Sequence, residues 1–197
     1  MAIAKRKKRF HDVEMPILNK TTQLFGYDLK DIEGRIIKYD LTRILKGKNS
    51  LLDLDVVIEN KGEKEKATSE PRKFRILPSF IKRMVRNRTS YVEDSFVADC
   101  KDATLVIKPF LIARRKVSNS VKRALRKEAR KEIQEYIKKM PYKAIFEDML
   151  RNKLQKELSI KLKKIYPLSL CEIRALEVKE KNKQTENKKE TEKKETQ

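Results

Sequence analysis

Two stretches of this sequence contain no acidic residue, and they constrain what the chain can fold into more than any other feature. Residues 71–90 carry seven basic side chains (Arg72, Lys73, Arg75, Lys82, Arg83, Arg86 and Arg88). Residues 103–127 carry eight: Lys108, Arg114, Arg115, Lys116, Lys122, Arg123, Arg126 and Lys127. Like charges crowded together repel, so the fold must spread these groups over solvent-facing positions. Ordinary surface charge mixes its signs, as residues 179–197 do with seven Lys and five Glu. The acid-free stretches do not mix, and they are rich in Arg, whose planar fork engages phosphate through two parallel hydrogen bonds. Nucleic acid is the partner they fit. The whole chain has a formal charge of +21, of which residues 179–197 supply only +2 (seven minus five), so the excess belongs to the body.

Other function classes find little support. No apolar run approaches the roughly 18 to 20 residues that span a bilayer, and residues 110–113 are boxed in by Lys108 and Arg114. The basic N-terminus continues into Arg9, His11, Asp12 and Glu14 where a signal peptide would be apolar, which predicts a protein that stays in the cytoplasm, with no membrane partner. Cys100 and Cys171 fit a reducing compartment, offer neither a CxxC pair nor a site of four thiolates, and read as buried small hydrophobes. His11 is the only histidine, so neither a His-dependent triad nor a multi-His metal site can be built within the chain. Phosphate-cradling GxxxxGK[ST] and GxGxxG loops are absent, and four glycines leave little material for one. Glu93, Asp94, Asp99 and Asp102 are the acids from which a Mg²⁺-dependent nuclease site would have to be made. Such acids serve more often as strand-face and turn residues balancing nearby arginines, so no catalytic residue, metal or cofactor is expected.

The apolar pattern predicts an α+β fold: an antiparallel sheet or small β-barrel core with a short inserted helix and C-terminal helices. Strands are expected over residues 35–41, where Ile36, Ile37 and Tyr39 mix with polar residues, and around Leu52, Leu54 and Val56. Residues 59–70 read as a long solvated connection before a strand holding Phe74 and Ile76. Residues 91–100 and 104–116 read as two strands joined by a tight turn, with Pro109 demanding a bulge or a sheet edge. Between these lies a helix over residues 79–88, with Phe80, Ile81, Met84 and Val85 on the docking arc and Lys82, Arg83 and Arg86 opposite. A long helix capped by Asn119 or Ser120 runs to residue 139, burying Val121, Leu125, Ala129, Ile133, Tyr136 and Met140. After Pro141 a second helical region, broken near Asn152, buries Ile145, Phe146, Met149, Leu154, Leu158, Leu162 and Ile165. A last strand over residues 168–178 rejoins the sheet. The expected organisation is a basic N-terminal arm (1–20), one α+β RNA-binding domain (21–178) and a disordered charged tail (179–197).

The residues expected to touch nucleic acid are Lys5, Arg6, Lys7, Lys8 and Arg9 of the arm; Arg72, Lys73, Lys82, Arg83, Arg86 and Arg88; and Arg114, Arg115, Lys116, Lys122, Arg123, Arg126, Lys127 and Arg130. If about ten of these each neutralise a phosphate, log affinity falls against log salt with a slope near −9 on duplex. Phe10, Tyr27 and Tyr91 are candidate base stackers, but with 7% aromatic residues the core claims them first. No RNP signature, GxxG loop, zinc-finger spacing or leucine-zipper heptad is present, so backbone and shape contacts should dominate.

Five stretches carry a family resemblance: KKRFHDVEMP (7–16), GRIIKYDL (34–41), LPSFIKRMVRNRTSYVEDS (77–95), TLVIKPFLIARRKVSNS (104–120) and KKIYPLSLCEIRALEV (163–178). In this order and spacing the chain resembles the small-subunit ribosomal protein family of archaea and eukaryotes called S-one-e or S-three-a-e, in its archaeal form. The resemblance implies a structural, non-catalytic protein of the ribosomal platform, bound to small-subunit rRNA near its 3′ end and the mRNA exit. Neighbouring platform ribosomal proteins would be its other partners, with mRNA passing close by. The family's basic arm, RxRTS helix end and RR element map onto Lys7 to Arg9, Arg86 to Ser90, and Arg114 with Arg115. A free nucleic-acid-binding or chromatin-associated protein is the alternative reading.

Overall fold

The structure is a computed structural model that describes residues 7–45, 47–61 and 64–181. Its strands are β1 (Arg9–Met15), β2 (Lys20–Gly26), β3 (Ile36–Asp40), β4 (Ser50–Lys61), β5 (Lys64–Ile76), β6 (Tyr91–Glu93), β7 (Phe96–Asp99), β8 (Ala103–Ala113) and β9 (Leu168–Lys181). The helices are α1 (Pro78–Met84), α2 (Asn119–Lys138), α3 (Tyr142–Leu150) and α4 (Lys153–Leu162). Among the described residues the nine strands join in one sheet along the path β2-β1-β5-β9-β8-β6, with β4 and then β3 branching from β5, and β7 beside β8. The class is α+β as the apolar pattern predicts; the sheet stays open, so the barrel alternative does not form. All pairings are antiparallel except β1 with β5, which run parallel through Val13↔Ala67 and Glu14↔Thr68.

β5 is the hub. One edge of it lies along β4, while the other is shared by β1 at residues 67–68 and β9 at residues 73–75. Residues 59–70 are therefore no long loop: β4 and β5 stay paired from Glu59↔Lys66 out to Lys61↔Lys64. Polar residues at the tip of a two-stranded ribbon cost nothing in burial, so charge there masks strand pairing in the sequence. Closer in, Ala67 packs with Val13, Ile32 and Val56 in a satellite core covered by Leu24, Leu29 and Ile37. The expected N-terminal arm differs for the same reason. From Arg9 its described part is the β1–β2 hairpin, anchored by fully buried Val13 and nearly buried Met15. Residues 1–6 and residues 182–197 of the expected tail lie outside the described residues; residues 179–181, expected to be disordered, are instead the end of β9, which reaches Lys181.

Prolines and one asparagine set the remaining geometry. Pro109 cannot donate to the ladder, and the β8–β9 register skips a residue beside it, so it marks a bulge rather than an edge. The same point divides the opposite neighbour into β6 and β7. α1 is shorter than its pattern predicts, because Val85 is already extended and the Thr89 hydroxyl donates to the Arg86 carbonyl, closing a separate turn. Met84 and Ile165, both expected in the core, are exposed. α2 begins after Ser118, one residue before the expected cap, and buries Leu125, Ala129, Ile133 and Ile137 at every fourth position. Asn152, at φ 57°, makes the break between α3 and α4 in the left-handed conformation that asparagine tolerates. The helices meet β5, β6, β7 and β9 and close the main core, whose fully buried side chains include Leu105, Ile107, Leu125 and Phe146. Each such residue contributes about 1.5–3 kcal/mol.

Candidate nucleic-acid interface

The fold joins the two acid-free stretches along one seam. β6 pairs with the end of β8 through Tyr91↔Ile112, which lays residues 85–90 beside residues 113–117. The seam is held by backbone: Ala113 N donates to Ser90 O at 2.8 Å, and Ser90 N donates to Arg115 O at 3.4 Å. The Ser90 hydroxyl accepts from Val117 N at 3.2 Å, and Arg114 N donates to Pro167 O at 3.4 Å. Fixed backbone leaves the side chains of Arg86, Arg88, Arg114, Arg115 and Lys116 exposed on adjoining loops. A groove of about 400 Å³ opens here, lined by Arg83, Arg86 and Arg114 with Thr89, Ser169, Met84, Ile112 and Leu170. Three guanidinium groups around polar hydroxyls and an apolar surface suit a phosphate and its attached sugar or base.

α2 carries the basic surface onward. Arg123, Arg126, Lys127, Arg130 and Lys131 line a second depression of about 670 Å³ together with Asp94, Glu128 and Gln134. Arg126 Nε donates to the Glu93 carbonyl at 3.2 Å, and the Arg130 guanidinium lies 5.3 Å from the Phe96 ring centroid. Both contacts hold the side chain against the sheet while leaving its charge uncompensated. Arg83 is placed in the same way, 5.7 Å from the Phe80 ring centroid.

Of the expected contacts, Lys82, Arg83, Arg86, Arg88, Arg114, Arg115, Lys116, Lys122, Arg123, Arg126, Lys127 and Arg130 form no ion pair among the described residues. Arg72 and Lys73 do. Arg72, at the bulge in β5, reaches Asp55 at 3.3 Å, and Lys73 reaches its cross-strand partner Glu177 at 3.0 Å. These two line neither depression, their counter-charge supplied by the neighbouring strands β4 and β9. Lys5 and Arg6 lie outside the described residues; Lys7, Lys8 and Arg9 are exposed at the start of β1.

Three of the four acids considered for a metal are engaged in structural contacts. Glu93 pairs with Arg174 at 3.0 Å, Asp94 accepts from Ser95 N at 2.9 Å, and Asp99 accepts from the Thr104 hydroxyl at 2.8 Å. Among the described residues no group of three or more potential ligands could hold a metal ion.

Phe10, Tyr27 and Tyr91 are exposed rather than core. Alternation along β1 already turns Phe10 away from Val13 and Met15, and that parity is the signal that could have exposed it.

Residues 5–182 match the model of the Ribosomal S3Ae family. Small ribosomal subunit protein eS1 of Nanoarchaeum equitans (strain Kin4-M) is 32% identical over 119 residues, covering 59% of this chain and 60% of that protein. The shared positions thus span less than two thirds of the relative, while the family match takes in β1, the seam, α2 and β9 together. On this match, the chain belongs to the Ribosomal S3Ae family.

Proposed function

We propose that this protein is a structural constituent of the small ribosomal subunit, gripping rRNA mainly by its phosphates along the Ser90–Arg115 seam and the basic face of α2. The observation that carries the reading is the meeting of two acid-free stretches on one surface, with no ion pair to their seam arginines among the described residues. A relative named as a small ribosomal subunit protein, and membership of a ribosomal family, support the same reading. Its place is the platform, near the rRNA 3′ end and the mRNA exit, beside neighbouring platform proteins and without catalysis. No described helix is long and apolar enough to cross a membrane, and the location that follows from this role is the ribosome of the cytoplasm.

A sucrose-gradient profile tests it. The native protein should co-sediment with small subunits at low salt and be stripped by high salt, with a steep log–log dependence of rRNA affinity. A protein found in the free pool, binding DNA duplex as well as rRNA, would replace this reading by that of a free nucleic-acid or chromatin binder.

A further inference from the structure

The outer face of the β1–β2 hairpin carries a feature that phosphate gripping does not use. In the hairpin register Phe10 lies directly opposite Phe25, and the two rings sit 5.0 Å apart between centroids. Side chains alternate across the sheet, so His11, Val13 and Met15 turn inward while Phe10, Asp12 and Glu14 turn out. The outward row is thus an aromatic pair, then Asp12 hydrogen-bonded to Gln23 at 3.0 Å, then Glu14 ion-paired to Lys66 at 3.4 Å. The acids nearest the aromatic pair therefore already have partners. Phe10 is 69% exposed, Phe25 49% and Tyr27 43%, although three such rings together would normally be buried. Lys8 caps the group, its ammonium 5.2 Å from the Tyr27 ring centroid and 5.8 Å from that of Phe25. Arg35 adds a further cation nearby, donating to the Phe25 carbonyl at 3.0 Å.

We infer that Phe10, Phe25 and Tyr27 form a stacking platform for unpaired nucleotides, with Lys7, Lys8 and Arg9 taking the phosphates that flank the stacked bases. An apolar protein partner would want the rings without a cation over them. A base wants both, since its π-face stacks on an aromatic ring while its phosphate needs a cation alongside. Bases locked in a duplex present no free face, so the occupant is a single-stranded segment. This deepens the proposed role, since it rests on the protein binding RNA, but it uses a different surface from the seam.

The full chain contains no tryptophan, so Phe25→Trp installs a single fluorescent reporter in the platform. Short oligoadenylate should quench that reporter, and an RNA duplex of equal length should not. Phe10→Ala with Tyr27→Ala should weaken oligoadenylate binding about tenfold, as expected for loss of base stacking, without altering affinity for rRNA duplex. Phe25→Leu should also weaken it, because leucine keeps the apolar surface and loses the ring. Unchanged emission on addition of oligoadenylate, or full tolerance of Phe25→Leu, would overturn the platform while leaving the seam reading intact. Failure of the unmodified protein to bind any RNA would remove both.

Discussion

Glu172 on β9 accepts the ammonium of Lys48 at 2.5 Å, in a site where the carboxylate side chain is only 8% exposed. The same ammonium donates to Asn152 Oδ1 at 2.8 Å, so one lysine from the β3–β4 loop ties together the sheet and the α3–α4 joint. Gly47 delivers it: φ there is +91°, which a side chain would resist, and its amide donates to the Thr42 carbonyl at 2.9 Å. Removing one partner of a buried pair leaves the other charge without solvent or counterion. Lys48→Met is therefore expected to lower unfolding free energy by about 2–3 kcal/mol, measured by urea titration. The double variant Lys48→Met, Glu172→Met should regain roughly half of that loss, since it buries no orphan charge. A double variant as unstable as the single one would show that the pair acts otherwise.

Glu70 works as a second tie, and it predicts acid sensitivity. Its carboxylate accepts from Lys143 at 2.7 Å, from Lys181 at 2.5 Å and from the Tyr142 hydroxyl at 3.0 Å, fastening the end of β9 and the start of α3 to β5. Burial alone would raise its pKa, but the hydrogen bonds from Lys143 and Lys181, with their charges, outweigh burial and bring it down to about 2. A carboxylate with a depressed native pKa stabilises the fold above its unfolded pKa of about 4.5, and that stabilisation fades as pH falls toward 2. Glu70→Gln should flatten the stability profile across that window. At neutral pH it should cost roughly 1–2 kcal/mol, a figure kept small because both lysines are half exposed and partly screened by solvent. Calorimetry at a series of pH values reads both effects, and parallel profiles for the two proteins would contradict the linkage.

The parts legible in the sequence are those where one face is buried and the other wet. β4 shows this with Leu52, Leu54 and Val56, and α2 with its four-residue stripe. What stayed hidden is structure whose apolar anchor lies elsewhere. β1 has Val13 and Met15 as its only deeply buried residues, and Val13 gains its partners Ile32, Val56 and Ala67 only once the sheet has formed. The basic surface was legible as charge, and the hairpin expected over residues 91–116 already brings the two stretches together; the bonds between Ser90 and Arg115 follow from the β6–β8 register. Likewise the acid that neutralises Lys73 sits on β9, beyond the reach of a count by window, and that of Arg72 sits on β4, outside the stretch counted.

Both thiols should be inert in the native protein. Burial pushes the Cys171 thiol up to about 12, with the adjacent Glu172 carboxylate adding to the shift, so the thiol stays protonated at pH 8. Cys100 is buried and donates to the Ala103 carbonyl at 2.8 Å within the β7–β8 turn. A disulfide-exchange reagent at pH 8 should therefore label neither residue on the timescale in which it labels the denatured chain completely. Fast labelling of Cys171 in folded protein would mean that β9 opens locally, which its pairing to β8 at Leu111↔Cys171 argues against.

Charge reversal at the groove separates binding from folding. Arg83 contacts the core only through the face of the Phe80 ring, and Arg86 lies in a turn whose bonds are made by its backbone and by Thr89, so neither guanidinium holds the fold together. Arg83→Glu with Arg86→Glu should leave the melting temperature within a few degrees of the unmodified protein. The slope of log rRNA affinity against log salt should fall by about two, one for each phosphate that no longer meets a guanidinium. The paired residues provide the internal control. Arg72→Gln, whose parent side chain already serves Asp55, should leave the salt slope unchanged. If Arg72→Gln lowers the slope as much as a change at Arg86 does, the seam is not the surface that grips RNA, and the surface around the Arg72 bulge of β5 takes its place.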